Sequence, residues 1–164
     1  MAIAFNPDEV FEIARQMERN GAAFYRRAAD NAADESHIIL FQDLAEMEDS
    51  HERTFARMQE EMTAESKTPA AYDPDSEAAR YLQAFVSGHV FDLSADPMRF
   101  FDQEVARDMV AVLRKAIELE RDSVVFYLAM KGTVQPGHSE DSVGAIIEQE
   151  MSHIALLSEQ LAAL

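Results

Sequence analysis

The chain contains no cysteine. This excludes a disulfide framework, a thiolate zinc finger, an iron–sulfur cluster held by thiolates and a thiol nucleophile. Glycine and proline are sparse at five residues each in 164, too few for a turn-rich all-β chain or a low-complexity tail. Basic side chains are also scarce: 14 Lys and Arg stand against 31 Asp and Glu, for a formal charge of −17. A surface this negative repels phosphate backbones and anionic lipids, so no nucleic-acid or membrane partner is expected. Long hydrophobic runs are missing too. The most apolar stretch outside the helical patterns, Ala84 to Phe91, falls far short of the ~20 residues a membrane span needs. Met1 to Pro7 shows neither the basic region nor the apolar run of a secretion signal, and a cytoplasmic protein is the expectation.

What is present is a 48% hydrophobic composition with helical spacing, enough for one sizeable core and a single domain over residues 1–164. Asn6-Pro7-Asp8-Glu9 reads as a helix start: Asn6 as the cap, Pro7 at the first helical position, and two acids at the positive helix end. Val10, Ala14, Met17, Gly21, Ala22, Tyr25 and Ala28 then recur on one stripe, predicting a helix from Pro7 to about Asn31. A second pattern starts near Ser36 or His37 and runs to about Met62, completing a helical hairpin over 7–62. Residues 63–108 hold three of the five prolines and read as a long crossover. Within it Ser76 is placed to cap a short helix from Glu77 to about Ser87, and Asp96-Pro97 to open a further turn. Helical patterns return from about Met109 to Lys131 and from about Ser139 to Leu161, separated by the breaker Pro136-Gly137. The expectation is an all-α four-helix bundle made of two hairpins, 7–62 and 109–161, joined by the crossover.

The halves are related. A shift of 102 positions lays Val10 on Val112, Ala14 on Ala116, Glu18 on Glu120 and Phe24-Tyr25 on Phe126-Tyr127. With no gap introduced it also lays Glu46 on Glu148, Glu48 on Glu150 and His51 on His153. The repeated unit is the helical hairpin, and two such units would pack about a pseudo-twofold axis.

Packing alone explains repeated Ala and Val, but not repeated polar residues on the apolar stripes. Glu18 has Phe11, Ala14, Gly21, Ala22 and Tyr25 one or two turns away; Glu120 has Leu113, Ala116, Val124 and Tyr127. Glu48 and Glu150 lie among similar company, and His51 and His153 follow one turn along the same faces. Four carboxylates turned into one core need compensation. Arg15 is close to Glu18 in sequence, but its repeat mate is Ile117, and Arg19 and Arg121 point about 100° away round their helices. Protons or metal ions remain. Two divalent cations balance four carboxylates, and two neutral imidazoles complete a donor set that Fe or Mn accepts. One Glu from each of two helices and a Glu-x-x-His from each of the other two is the ligand pattern of di-iron and di-manganese bundles.

On Glu18 with Phe24-Tyr25, Glu48-Asp49-Ser50-His51, Glu120 with Phe126-Tyr127, and Glu150-Met151-Ser152-His153, the chain resembles the ferritin-like superfamily, and within it the rubrerythrin-like proteins. The resemblance spans all four predicted helices. It implies two iron ions, with Mn or Zn as alternatives, held by Glu18, Glu48, His51, Glu120, Glu150 and His153. Glu48 and Glu150 would bridge, and Glu18 and Glu120 would be the more terminal ligands. It also implies reaction of a diferrous centre with hydrogen peroxide or dioxygen. Rubrerythrins proper carry a Cys-rich rubredoxin domain; this sequence has no cysteine for one, so turnover is expected to draw on an external electron donor. At the position of the additional Glu of typical rubrerythrins, one turn after the helix-three ligand, stands Ser123, with Gly21 as its repeat mate. What remains is the six-ligand set generic to ferritin-like proteins.

Tyr25 and Tyr127 sit two turns beyond Glu18 and Glu120, placed to hydrogen-bond a ligand carboxylate or supply an electron. Glu46 and Glu148 fall on the opposite side and read as solvated. His37, His89 and His138 have no repeat mates and are read as non-ligands. The apolar segment Tyr81 to Phe91 would cover the bundle or form the contact of a homo-oligomer, a dimer. The leading expectation is a di-iron oxidoreductase reducing peroxide or dioxygen. The alternatives are a ferroxidase or iron-storing protein and a non-catalytic metal-binding bundle.

Overall fold

The computed structural model describes residues 7–62, 80–82, 84, 97–132, 134 and 138–164. Four long helices carry the fold: α1 Pro7–Asn31, α2 Glu35–Glu61, α3 Met109–Lys131 and α4 His138–Ala162. The starts of α1 and α3 fall where the apolar stripes begin. α2 starts before Ser36 because the Asp34 side chain accepts from the Ser36 backbone N–H at 2.8 Å, drawing Glu35 into the first turn. Asp108 caps α3 in the same way, accepting from the Val110 N–H at 3.1 Å. α4 extends one residue beyond expectation at each end. The cap assigned to Asn6 and the breaker Pro136-Gly137 lie outside the described residues.

Of the crossover, residues 80–82 and 84 are helical, while most of the expected helix from Glu77 to Ser87 and all of His89 lie outside the described residues. Leu82 is buried in the core with Tyr81 packed against it, so this part of the segment covers the bundle. Two 3-10 turns precede α3: Pro97–Asp102, where Asp96-Pro97 marked a turn, and Glu104–Arg107, which the sequence pattern did not mark. The first sets Phe100 and Phe101 against Phe24, with ring centroids 5.9 and 5.0 Å away, and so closes one end of the bundle.

α1 packs on α2 and α3 on α4, and the two hairpins meet through α1 against α3 and α2 against α4. The cross-hairpin contacts fix the direction. Tyr25 meets Glu120 while Glu18 meets Tyr127, so α1 and α3 run antiparallel. His51 meets Gln149 while Met47 meets His153, so α2 and α4 do as well.

The core divides in two. One apolar cluster gathers Val10, Phe11, Phe55, Met58, Phe126, Met130, Val143 and Ile146 among others. The other gathers Phe24, Phe41, Leu44, Val112, Leu113, Ala116 and Leu157 among others. The repeat exchanges them: Val10 belongs to the first and its mate Val112 to the second, Phe24 to the second and its mate Phe126 to the first. A pseudo-twofold axis that swaps the two ends of the core must pass between them. Each helix crosses that middle layer once, at Glu18, at Glu48 and His51, at Glu120, and at Glu150 and His153. Among the described residues no helix is long and apolar enough to cross a membrane.

Candidate metal centre

The six side chains of the middle layer converge. Each is at most 4% exposed, and they are the buried polar or charged residues among those described. Donor atoms within 4.8 Å of one another form two groups. One is Glu18, Glu48, His51 and Glu150; the other is Glu48, Glu120, Glu150 and His153. Glu48 and Glu150 are common to both. The Glu150 carboxylate faces both ways: its Oε1 lies 3.0 Å from His51 Nδ1 and its Oε2 3.1 Å from His153 Nδ1. His51 Nδ1 is also 3.4 Å from Glu18 Oε2. His153 Nδ1 is 3.5 Å from Glu120 Oε1 and 3.7 Å from Glu48 Oε1. The two imidazoles stack across the pseudo-axis at 5.9 Å with 21° between their planes.

The arginines nearest in sequence turn elsewhere. Arg15 pairs with Glu52 at 2.9 Å, and Arg19 with Glu12 at 2.7 Å and Glu52 at 3.2 Å, on the outer side of the α1–α2 hairpin. Glu46 and Glu148 are exposed as expected. His37 lies away from the cluster, stacked at 6.5 Å on Phe41; the side chain of His138 lies outside the described residues.

Tyr25 and Tyr127 donate to ligand-type carboxylates, each to one on the opposite hairpin. Tyr25 Oη–H is bonded to Glu120 and Tyr127 Oη–H to Glu18. Three further residues were not legible as part of the site. His51 Nε2 lies 2.7 Å from Gln149 Oε1, and His153 Nε2 lies 3.1 Å from Met47 Sδ. Gly21 faces Glu48 so closely that a Cβ there would stand 2.9 Å from Glu48 Oε2. Met47 and Gln149 are repeat mates, but as different residue types they gave no repeat signal.

The electrostatics of the cluster without cations are those of a proton store. Burial pushes Glu18 and Glu48 well above the usual carboxylate range, with the charge of Glu150 adding to both. Burial, with Glu150 beside it, raises Glu120 to about 8. For Glu150 itself burial acts upward, but its bonds to Glu120 and the two histidines override this and hold it below the usual range. Burial would lower the histidines, yet the neighbouring carboxylates lift His51 to about 9 and His153 to about 10. Burial raises both tyrosine hydroxyls, so they remain protonated donors.

Four atoms decide whether cations fit. Glu18 Oε2, Glu48 Oε1, His51 Nδ1 and Glu150 Oε1 are buried and have no hydrogen-bond partner. They are one atom from each member of the first group. An unsatisfied buried polar atom costs about 1–3 kcal/mol, and native proteins carry few. Glu18 Oε2, His51 Nδ1 and Glu150 Oε1 gather around one point and Glu48 Oε1 faces His153 at 3.7 Å, an arrangement that cations between these groups would satisfy. Three carboxylates and an imidazole around each position is an O/N set suited to Fe or Mn. With hydrogen on Nε2, each imidazole would donate outward and, once a cation displaces the Nδ1 proton, turn its Nδ1 lone pair toward the carboxylates.

Residues 4–59 match the family model named Rubrerythrin, a stretch that includes Glu18, Glu48 and His51. The fold matches the crystal structure of a Thermotoga maritima protein described as a ferritin-like diiron-carboxylate protein. The TM-score is 0.70 at 21% identity, over 96% of this chain and 95% of that one. No curated protein matches the sequence. The chain is therefore ferritin-like in fold, and its first hairpin carries the rubrerythrin sequence pattern.

Proposed function

We propose that the protein is a non-haem di-iron oxidoreductase that reduces hydrogen peroxide or dioxygen. Glu48 and Glu150 would bridge the two irons, Glu18 and His51 would complete one site, and Glu120 and His153 the other. The observation that carries the reading is the convergence of six buried carboxylate and imidazole side chains into two groups that share two carboxylates, with four donor atoms left unpartnered. Two irons held there would supply the electrons for cleaving an O–O bond.

The chain's own residues do the rest. The apolar clusters on either side exclude water and lower the local dielectric, which strengthens each carboxylate–cation interaction. Tyr127 holds Glu18 through Oε1, leaving the unpartnered Oε2 free to ligate, and Tyr25 holds Glu120 through Oε1. Protons held on the carboxyls and imidazoles of the cation-free cluster leave as cations enter, so loading releases acid. Continued turnover would take electrons from an external donor.

Anaerobic loading with Fe(II), followed by rapid mixing with hydrogen peroxide or dioxygen, tests the proposal. The expected result is two irons per chain, oxidised by one equivalent of peroxide, with near-ultraviolet absorbance reporting the ferric product. Retention of many more irons per chain would make oxidation a step in iron storage instead. An iron-loaded protein inert to both oxidants would overturn the proposal and leave a metal-stabilised bundle.

A further inference from the structure

The repeat makes the two halves of the centre alike in their six ligand-type residues, but it does not do so in the atoms behind the imidazoles. His51 Nε2 is backed by an amide oxygen, Gln149 Oε1, at 2.7 Å. His153 Nε2 is backed by a thioether, Met47 Sδ, at 3.1 Å. Gln149 and Met47 occupy equivalent positions of the repeat. An amide oxygen is a full acceptor and a thioether a weak one. The partner of the outer N–H fixes a ligating imidazole's tautomer and orientation and raises its basicity, and its loss typically costs 10–100-fold in metal affinity.

A second, independent observation points the same way. Three of the four unpartnered donor atoms, Glu18 Oε2, His51 Nδ1 and Glu150 Oε1, lie together around His51, while the fourth, Glu48 Oε1, is 3.7 Å from His153 Nδ1. His51 Nδ1 lies 3.0 Å from Glu150 Oε1 and 3.4 Å from Glu18 Oε2. On the other side His153 Nδ1 is hydrogen-bonded to Glu150 Oε2 at 3.1 Å, and Glu120 Oε1 accepts from Tyr25. The oxygen that Glu120 turns toward His153 is thus already engaged by Tyr25, whereas the oxygen that Glu18 turns toward His51 is not the one that Tyr127 engages.

We infer that the two cation positions are inequivalent: the His51 position fills first and more tightly, and Gln149 against Met47 sets the difference. This rests on the reading of the cluster as a two-cation centre. It assigns Gln149 and Met47 as positioning residues that act through the histidines.

The test is a titration of the metal-free protein with Mn(II), free ion being followed by electron paramagnetic resonance. Two steps per chain are expected, with dissociation constants at least about 10-fold apart. Met47→Gln should tighten the weak step and leave the tight step where it was. Gln149→Met should weaken the tight step and close the gap from the other side. Met47 is 44% exposed and Gln149 is also exposed, so neither exchange disturbs the core; circular dichroism checks that each variant folds. Two indistinguishable steps in the unsubstituted protein, or a Met47→Gln variant whose weak step does not move, would sink the inequivalence while leaving the two-cation reading intact. Absence of any Mn(II) uptake would sink both.

Discussion

At the scale of single residues, the centre depends as much on a missing side chain as on those present. Gly21 lies on the same stripe as Glu18, and a Cβ at that position would meet Glu48 Oε2 at 2.9 Å. The carboxylate is the far end of a flexible side chain, so Gly21→Ala would move it without dislodging backbone. Alanine is also the better helix former by about 1 kcal/mol. The expected outcome is a dissociation between stability and binding: the metal-free melting temperature holds or rises, while Mn(II) affinity falls by about 10-fold or more. A variant that binds as well as the parent would show that Glu48 does not need the space. The six ligand-type residues were legible because polar residues repeat on apolar stripes. Gly21 was visible as a small residue on a stripe and as the repeat mate of Ser123, but not as a neighbour of Glu48, since a close approach between helices leaves no trace in either helix's own spacing. Gln149 and Met47 escaped for a related reason, as their partners lie on the other hairpin.

At the scale of the helices, the repeat and the apolar stripes placed the starts of α1 and α3 and the hairpin pairing. Boundaries moved where a side chain competes for a backbone N–H, as Asp34 does at Ser36. Which carboxylate each tyrosine holds could not be read from one helix. Seven residues of helix rise roughly 10 Å, so Tyr25 cannot reach Glu18, nor Tyr127 reach Glu120. Antiparallel packing of α1 on α3 brings each phenol level with the other hairpin's glutamate, and the two bonds tie the halves together. Tyr25→Phe would keep the ring and leave a buried oxygen of Glu120 without its donor; Tyr127→Phe would do the same to Glu18. Each is expected to destabilise the metal-free protein by about 1–3 kcal/mol in urea unfolding. No change in either variant would make the phenols simple core fillers.

At the scale of the whole molecule, the buried cluster makes stability depend on pH in a direction opposite to that of a protein held together by paired carboxylates. Folding lifts Glu120 from the ordinary 4.5 to about 8, and His51 and His153 from 6.5 to about 9 and about 10. Glu18 and Glu48 move up as well. Between the ordinary and the lifted values the folded chain binds more protons than the unfolded one, so unfolding becomes easier as pH rises. The histidines' contribution is complete below about 6.5 and is lost on passing about 9 to 10, while that of Glu120 declines from about 4.5 to about 8. Glu150, held low, contributes in full throughout that range and loses its share only in acid. The chelator-treated protein should therefore melt at a steadily lower temperature from pH 5 to pH 9. Cations replace the protons, so saturating Mn(II) should flatten or reverse that slope, with binding tightening as pH rises. Calorimetric melts at several pH values, with and without the ion, measure both. A metal-free protein whose melting temperature is level or climbs across this range would show that the cluster is not held together by protons, and that the middle of the bundle opens to water when its cations are removed.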